Sequence, residues 1–131
     1  MSIVETIQKS RHLGKDYNSR LELLYKESFE ILQSKSAKKE EIIDFIQHVI
    51  LTEYQIDSSN WIGRTSNQIK LSIKIDNNCL EIIKKYDIDD LRIRQNVLYS
   101  VEYYEENTER KKELQKELIS VERQLKELGL L

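Results

Sequence analysis

The sequence has 131 residues, a net charge of −2, one cysteine and no proline. This length predicts one domain, and the single cysteine excludes an intrachain disulfide. No apolar run approaches the roughly 18 residues that span a bilayer, and the slight negative charge counts against strong non-specific nucleic-acid binding. We expect a cytoplasmic protein without a membrane segment.

The chain has only three glycines and abundant Leu, Ile, Glu and Lys, so its predicted elements are helices throughout. A brief helix is predicted to end near Gly14. A second is predicted to start at Ser19, since Ser19 and Glu22 have capping-box spacing. A third, at about 39–54, is apolar on more than one face and is expected in the core, with His48 as a hydrogen-bonded core histidine.

The next segment, 57–75, contains a glycine between two apolar positions. Asp57 is predicted to cap a short helix that Gly63 ends. Thr65 and Gln68 again have capping-box spacing, so a new helix is predicted from Thr65 or Ser66 to about residue 75. Further helices are predicted at 77–86, capped by Asp76, and after Asp87 or Asp89.

Ser59, Gly63 and Ile69 have the spacing of a helix-turn-helix, in which a small residue precedes the turn glycine and an apolar residue anchors the second helix. Ile62 and Ile73 are predicted as further anchors. The second helix would then present polar side chains to the major groove. Base reading is assigned to Ser66, Asn67, Gln68 and Lys70, and phosphate contacts to Arg64, Thr65 and Lys74. The alternative is one of the many short helix pairs that never touch DNA.

Residues 40–105 resemble, in pattern more than in identity, the central DNA-binding domain of ParB-type partition proteins and related plasmid repressors. The resemblance is carried by "EEIIDFIQHVI", then "IGRTSNQIKLSIKI", then "CLEIIKKYDI" and "DDLRIRQNVLYSVEYY". It implies DNA binding through residues 64–74. The nucleotide-binding N-terminal domain of many partition proteins has no counterpart here, so nucleotide chemistry is not implied.

The last predicted helix lacks proline and glycine from 91 to 128 and contains a coiled-coil seam with steps of four and three. Either one helix carries a phase defect near residue 111, or two helices fold back there. The seam is predicted to form a homodimer, the alternative being that it packs on the chain's own helices. Its members are Leu114, Leu118, Val121, Leu125 and Leu128.

The sequence therefore predicts an all-α protein: a small helical bundle with a helix-turn-helix at 1–105, and a long coiled-coil-like helix with a dimerisation segment at 106–131. The predicted function is sequence-specific binding of double-stranded DNA, as a small transcriptional regulator or partition-type factor. No catalytic, metal or cofactor motif is recognisable, so an enzyme is not predicted.

The rival hypothesis is a helical protein-interaction module, an adaptor or inhibitor that does not bind DNA. It is favoured by the negative charge and the seam, and by tyrosines, which are enriched at protein interfaces. Its predicted contact residues are Tyr99, Tyr103 and Tyr104, or the acidic patch Glu102, Glu105 and Glu106.

Overall fold

The computed structural model describes residues 2–59, 64–104 and 108–129. Within these ranges it contains six α-helices and no strand, which confirms the predicted all-α class. The helices are α1 (Ile3–His12), α2 (Tyr17–Gln33), α3 (Lys39–Ser59), α4 (Ser66–Tyr86), α5 (Asp90–Tyr104) and α6 (Thr108–Glu127).

The chain divides into two compact units, residues 1–88 with α1 to α4 and residues 89–131 with α5 and α6. The sequence places the division at 105/106 instead. The unit boundary lies at 88/89 because α5 packs against α6.

In the first unit, side-chain contacts fix the helix directions. The amide of Asn78 donates to Ser28 Oγ at 3.0 Å, and Lys85 Nζ donates to the Leu32 carbonyl at 2.8 Å. Residue numbers rise together along both helices, so α2 and α4 run parallel. Thr6 instead donates to Glu27 Oε2 at 3.1 Å, and Ser10 accepts from Arg20, so α1 runs antiparallel to α2.

The core of this unit is built from the apolar face of each helix. Phe45 and Ile42 of α3 are fully buried, as are Leu21 and Leu24 of α2 and Ile75 of α4. Burying one such side chain contributes about 1.5–3 kcal/mol relative to leaving it in water. The predicted central position of the third helix agrees with this burial.

The start of α2 and the end of α4 differ from the sequence-based expectations. Helix α2 begins at Tyr17 because Asp16 is its cap: Asp16 Oδ1 accepts from the Ser19 backbone N–H at 3.3 Å. Helix α4 continues through Asp76 to Tyr86, so the separate helix predicted at 77–86 is wrong. An aspartate inside a helix costs less than about 1 kcal/mol, and packing on α2 offsets that cost.

The third helix also runs further than predicted, to Ser59, so Asp57 belongs to its last turns and does not cap a short helix of its own. Asp87 ends α4 in the left-handed conformation, with φ of 51°. Asp89 Oδ1 then accepts from the Arg92 backbone N–H at 3.2 Å, which agrees with the predicted cap of the next helix.

In the second unit, α5 and α6 pack against each other as a helical hairpin. The structure thus differs from the single long helix of the predicted architecture and has the fold-back alternative. The Tyr99 hydroxyl of α5 donates to the Glu122 carboxylate of α6. This hydrogen bond raises the pKa of Tyr99, since it favours the protonated phenol.

Candidate interaction surface on α4

The start of α4 is held by the predicted capping box. Thr65 Oγ1 accepts from the Gln68 backbone N–H at 3.2 Å, and Gln68 Oε1 accepts from the Thr65 backbone N–H at 3.1 Å. Gln68 is only 8 % exposed. Its amide is therefore occupied in starting the helix, and the structure does not present it to solvent as base reading requires.

Arg64, the first predicted phosphate contact, is engaged with its own chain. Its Nε donates to Asp57 Oδ1 at 2.7 Å, Nη1 donates to Ser72 Oγ at 2.7 Å, and Nη2 donates to the Glu53 carbonyl at 3.0 Å. The guanidinium thereby ties α3 to α4, and each of its three nitrogens donates to an acceptor within the chain.

The other five predicted DNA contacts are exposed: Thr65, Ser66, Asn67, Lys70 and Lys74. At 100° per residue, Ser66 and Lys70 lie on one line of α4, and Asn67 and Lys74 lie nearer to α2. Lys74 Nζ stands 5.8 Å from the centre of the Tyr25 ring. A polar strip with two lysines therefore remains at this end of α4.

The two isoleucines predicted to anchor this helix in the core do not do so. Ile69 is 47 % exposed and Ile73 is 55 % exposed. The helix is rotated relative to the expectation. Its inward positions are Gln68, Ser72, Ile75, Cys79 and Ile82.

The exposed isoleucines belong to a longer row, which we call the α4 outer face. Its residues are spaced by four, three, four and three, the spacing of a coiled-coil seam. Leu80 is 54 % exposed, Asp76 is exposed and Ile83 is partly exposed. The α4 outer face consists of Ile69, Ile73, Asp76, Leu80 and Ile83. The sequence contains this spacing, but the prediction that Ile69 and Ile73 lie in the core does not identify the row as an exposed face.

The turn of the predicted helix-turn-helix is described only in part. Ser59 is the last residue of α3. Ile62 and Gly63 lie outside the described residues. The helix after the turn presents a different face from the one that the motif needs, because Ile69 and Ile73 are exposed.

A buried polar cluster joins α1, α2 and α3. Arg20 is 4 % exposed and donates from Nε to Ser10 Oγ at 3.2 Å, from Nη1 to the Gly14 carbonyl at 3.1 Å and from Nη2 to Thr52 Oγ1 at 3.0 Å. His48 Nε2 is 2.9 Å from Ser10 Oγ. His48 is therefore a hydrogen-bonded core histidine, as predicted.

The charges in this cluster determine the protonation of His48. Burial, together with the nearby guanidinium groups of Arg20 and Arg11, lowers the pKa of His48 to about 4. At neutral pH the ring is uncharged. One buried cation, Arg20, thus links three helices. This arrangement indicates a structural role for the cluster.

The predicted dimerisation seam lies in the interior of the helical hairpin. Leu114, Leu118, Val121 and Leu125 are between 0 and 9 % exposed. Helix α6 packs on α5 of the same chain, which covers these four side chains. Leu128 is 64 % exposed and is the one member of the predicted set that faces solvent. A dimer through this seam would require α6 to leave α5.

The contact residues of the rival hypothesis are visible only in part. Tyr99 is 48 % exposed beside its acceptor Glu122. The side chains of Glu102, Tyr103 and Tyr104, and residues 105–107, lie outside the described part of the chain.

The described residues contain no group of three or more His, Cys, Asp or Glu side chains arranged to hold a metal ion. Over the same residues, none of the helices combines the length and the apolar character needed to cross a membrane.

No protein-family model, curated protein sequence or solved structure matches the chain.

Proposed function

We propose that the chain is a helical protein-interaction module that binds a partner protein through the α4 outer face. The observation that supports this proposal is the exposure of Ile69, Ile73 and Leu80, each about half in solvent, along one line of a well-capped helix. Single exposed apolar residues are ordinary, whereas an aligned set is typical of an interaction site.

The energetics favour a contact with protein. Covering the exposed half of these three side chains contributes on the order of 1 kcal/mol each. The helix itself is already fixed, because its inward face packs on α2 and its first turn is capped. A partner therefore does not have to order the helix in order to bind, which lowers the entropic cost of association.

The test is an affinity capture from nuclease-treated extract of the source cells, with the wild-type chain and three variants as baits. Ile73→Glu and Leu80→Glu place a charge on the α4 outer face. Ile119→Glu is the matched control, because Ile119 is 56 % exposed on α6. We expect the wild-type and I119E baits to capture one protein that the I73E and L80E baits do not capture. Equal retention by all four baits, or no retained protein, would contradict the proposal.

A second candidate function is DNA binding, and a specific observation favours it. Ser66, Asn67 and Lys70 are exposed in the first turns of α4, where the helix dipole is positive and attracts phosphate. Since Arg64 and Gln68 are engaged within the chain, this candidate now rests on Thr65, Ser66, Asn67, Lys70 and Lys74.

Gel-shift titrations at about 50 mM and about 200 mM salt, with fragments from the gene's own neighbourhood, separate the two candidates. If DNA is the partner, Lys70→Ala weakens a saturable shift and Lys116→Ala on α6 does not. No retardation in the lower salt removes the DNA candidate. A shift that I73E leaves intact, beside a protein capture that I73E abolishes, would assign the two activities to different sides of α4.

A further inference from the structure

We infer that the partner of the α4 outer face is an amphipathic helix that places a basic side chain against Asp76. The inference rests on the proposed function, since it names the partner of that same surface. It follows from the spacing of the row, from the charge at its centre and from the charges along its edge.

The spacing of the residues in the α4 outer face indicates that its partner is a helix. The row from Ile69 to Ile83 covers two heptads, about 21 Å of helix axis at 1.5 Å per residue. Steps of four and three create the holes into which side chains of another helix insert. One edge of α4 is turned toward the core at Ser72 and Cys79, so a paired helix meets exposed flanking residues along the other edge.

The centre of the row carries a charge. Asp76 stands between Ile73 and Leu80 and is exposed in the free chain. A partner that covers the row takes this carboxylate out of water, which is strongly unfavourable when no cation compensates the charge. A lysine or arginine at the facing position forms the ion pair that offsets this cost, and it fixes the register of the two helices.

The open edge carries the opposite charge. Lys70, Asn77 and Lys84 each follow a seam residue by one position, and all three are exposed. These are the positions that contact the flanks of a paired helix, where charges determine the choice of partner. The complementary helix is therefore basic at its centre and acidic along the flank that faces these lysines.

A second copy of this chain does not fit. Parallel pairing in register would set two Asp76 carboxylates against each other. Antiparallel pairing would set Asp76 against Ile73 or Leu80, where it has no cation. Either arrangement leaves a desolvated carboxylate unpaired, and the antiparallel one also brings the two lysine flanks toward each other.

The test uses two fluorescent synthetic helical peptides of about 28 residues, which is four heptads. Both have leucine at the seam positions and glutamate on the flanks. They differ only at the central seam position, which is lysine in one peptide and glutamate in the other. Binding is followed by fluorescence anisotropy for the full chain and for the variants Asp76→Lys, Ile73→Ser and Asp44→Lys, the last being an exposed control on α3.

We expect the wild type and D44K to bind the lysine peptide at least about tenfold more tightly than the glutamate peptide, D76K to reverse this preference, and I73S to weaken both. If I73S weakens binding while D76K leaves the preference unchanged, the surface binds helices but Asp76 does not select them. The proposed function then stands and this inference falls.

Two other results also overturn the inference. No saturable binding of either peptide below about 1 mM excludes an amphipathic helix of this charge pattern. Sedimentation that shows a wild-type dimer dissociated by I73S would assign the surface to a second copy. Binding that I73S does not weaken instead removes the α4 outer face as the site, and with it the proposed function.

Discussion

Arg64 Nε and Asp57 Oδ1 lie 2.7 Å apart and join the last turns of α3 to the residue before the cap of α4. The same guanidinium donates to Ser72 and to the Glu53 carbonyl. Arg64 thus directs three of the five N–H donors of its side chain to acceptors within its own chain. We therefore expect this residue to control stability rather than DNA affinity.

We expect Arg64→Ala to lower the free energy of unfolding by about 1–2 kcal/mol, because three hydrogen bonds are lost, of which the one to Asp57 is largely screened by solvent. Urea denaturation measures the change. Arg123→Ala, an exposed position on α6, is the control and should change stability by less than about 0.5 kcal/mol. An R64A protein as stable as R123A, with weaker binding to DNA, would return Arg64 to the phosphate-binding role.

The lowered pKa of His48 makes stability depend on pH. Below pH 6.5 the unfolded chain takes up a proton on His48, while the folded chain stays neutral until about pH 4. Stability should therefore fall as the pH falls through this window, by about 3 kcal/mol for a shift of this size. Above pH 6.5 both states are neutral and the contribution is constant.

A comparison of the wild type with His48→Gln by chemical denaturation at pH 7 and pH 4.5 isolates this effect. Burial raises the pKa of Glu27, which gives stability the opposite dependence on pH in both proteins, so only the difference between them reports His48. The difference between the free energies of unfolding of the two proteins should become smaller toward acid pH. A gap that is constant across the range would show that His48 does not titrate as its burial requires.

The capping box predicts that Gln68 acts on stability. Thr65→Ala should cost about 1 kcal/mol, the usual loss for an N-cap. Gln68→Ala should cost a similar amount, because it removes the acceptor of the Thr65 N–H and empties a nearly buried position. Thermal denaturation followed by circular dichroism measures both. A Gln68→Ala chain with unchanged stability but altered preference among DNA sequences would restore the base-reading assignment.

The buried seam of α6 predicts a fold defect rather than a loss of assembly. Leu118→Ala should lower stability by about 2–5 kcal/mol, because it leaves a cavity between α5 and α6. Leu128→Ala, at an exposed position, should have little effect. Light scattering of both variants and the wild type provides the second readout. A wild-type dimer that L118A converts to a folded monomer would support the dimerisation segment instead.

The local signals in the sequence were sufficient for much of the fold. The cap of α4 needs only Thr65 and Gln68, three positions apart, and the sequence predicted it correctly. Local signals of this kind do not predict which face of α4 is buried. The inward Ser72 hydroxyl accepts from Arg64, which precedes the cap of α4 and also donates to the Glu53 carbonyl of α3, and no local pattern encodes that pair of contacts.

The helical hairpin of the second unit shows the same limit. The pattern around Leu114 and Leu118 is equally compatible with a partner helix from another chain and with α5 of the same chain. In the structure α5 of the same chain covers the seam, a pairing between distant residues that no local spacing encodes. The sequence also contains Glu106–Arg110 and Glu122–Lys126 at i,i+4 spacing, which favours one continuous helix. Each such pair contributes only a few tenths of a kcal/mol, less than burying the seam.

Cys79 gives the molecule a natural sensor of α4. It is the sole thiol of the chain, it is 7 % exposed on the inward side of α4, and burial raises its pKa to about 12. A thiol reagent consequently reacts only when α4 lifts from its neighbours, so the labelling rate reports how often that helix opens. A molecule that binds the α4 outer face contacts the exposed side of the helix, and it should slow the labelling of the buried sulfur by keeping the helix packed on its neighbours.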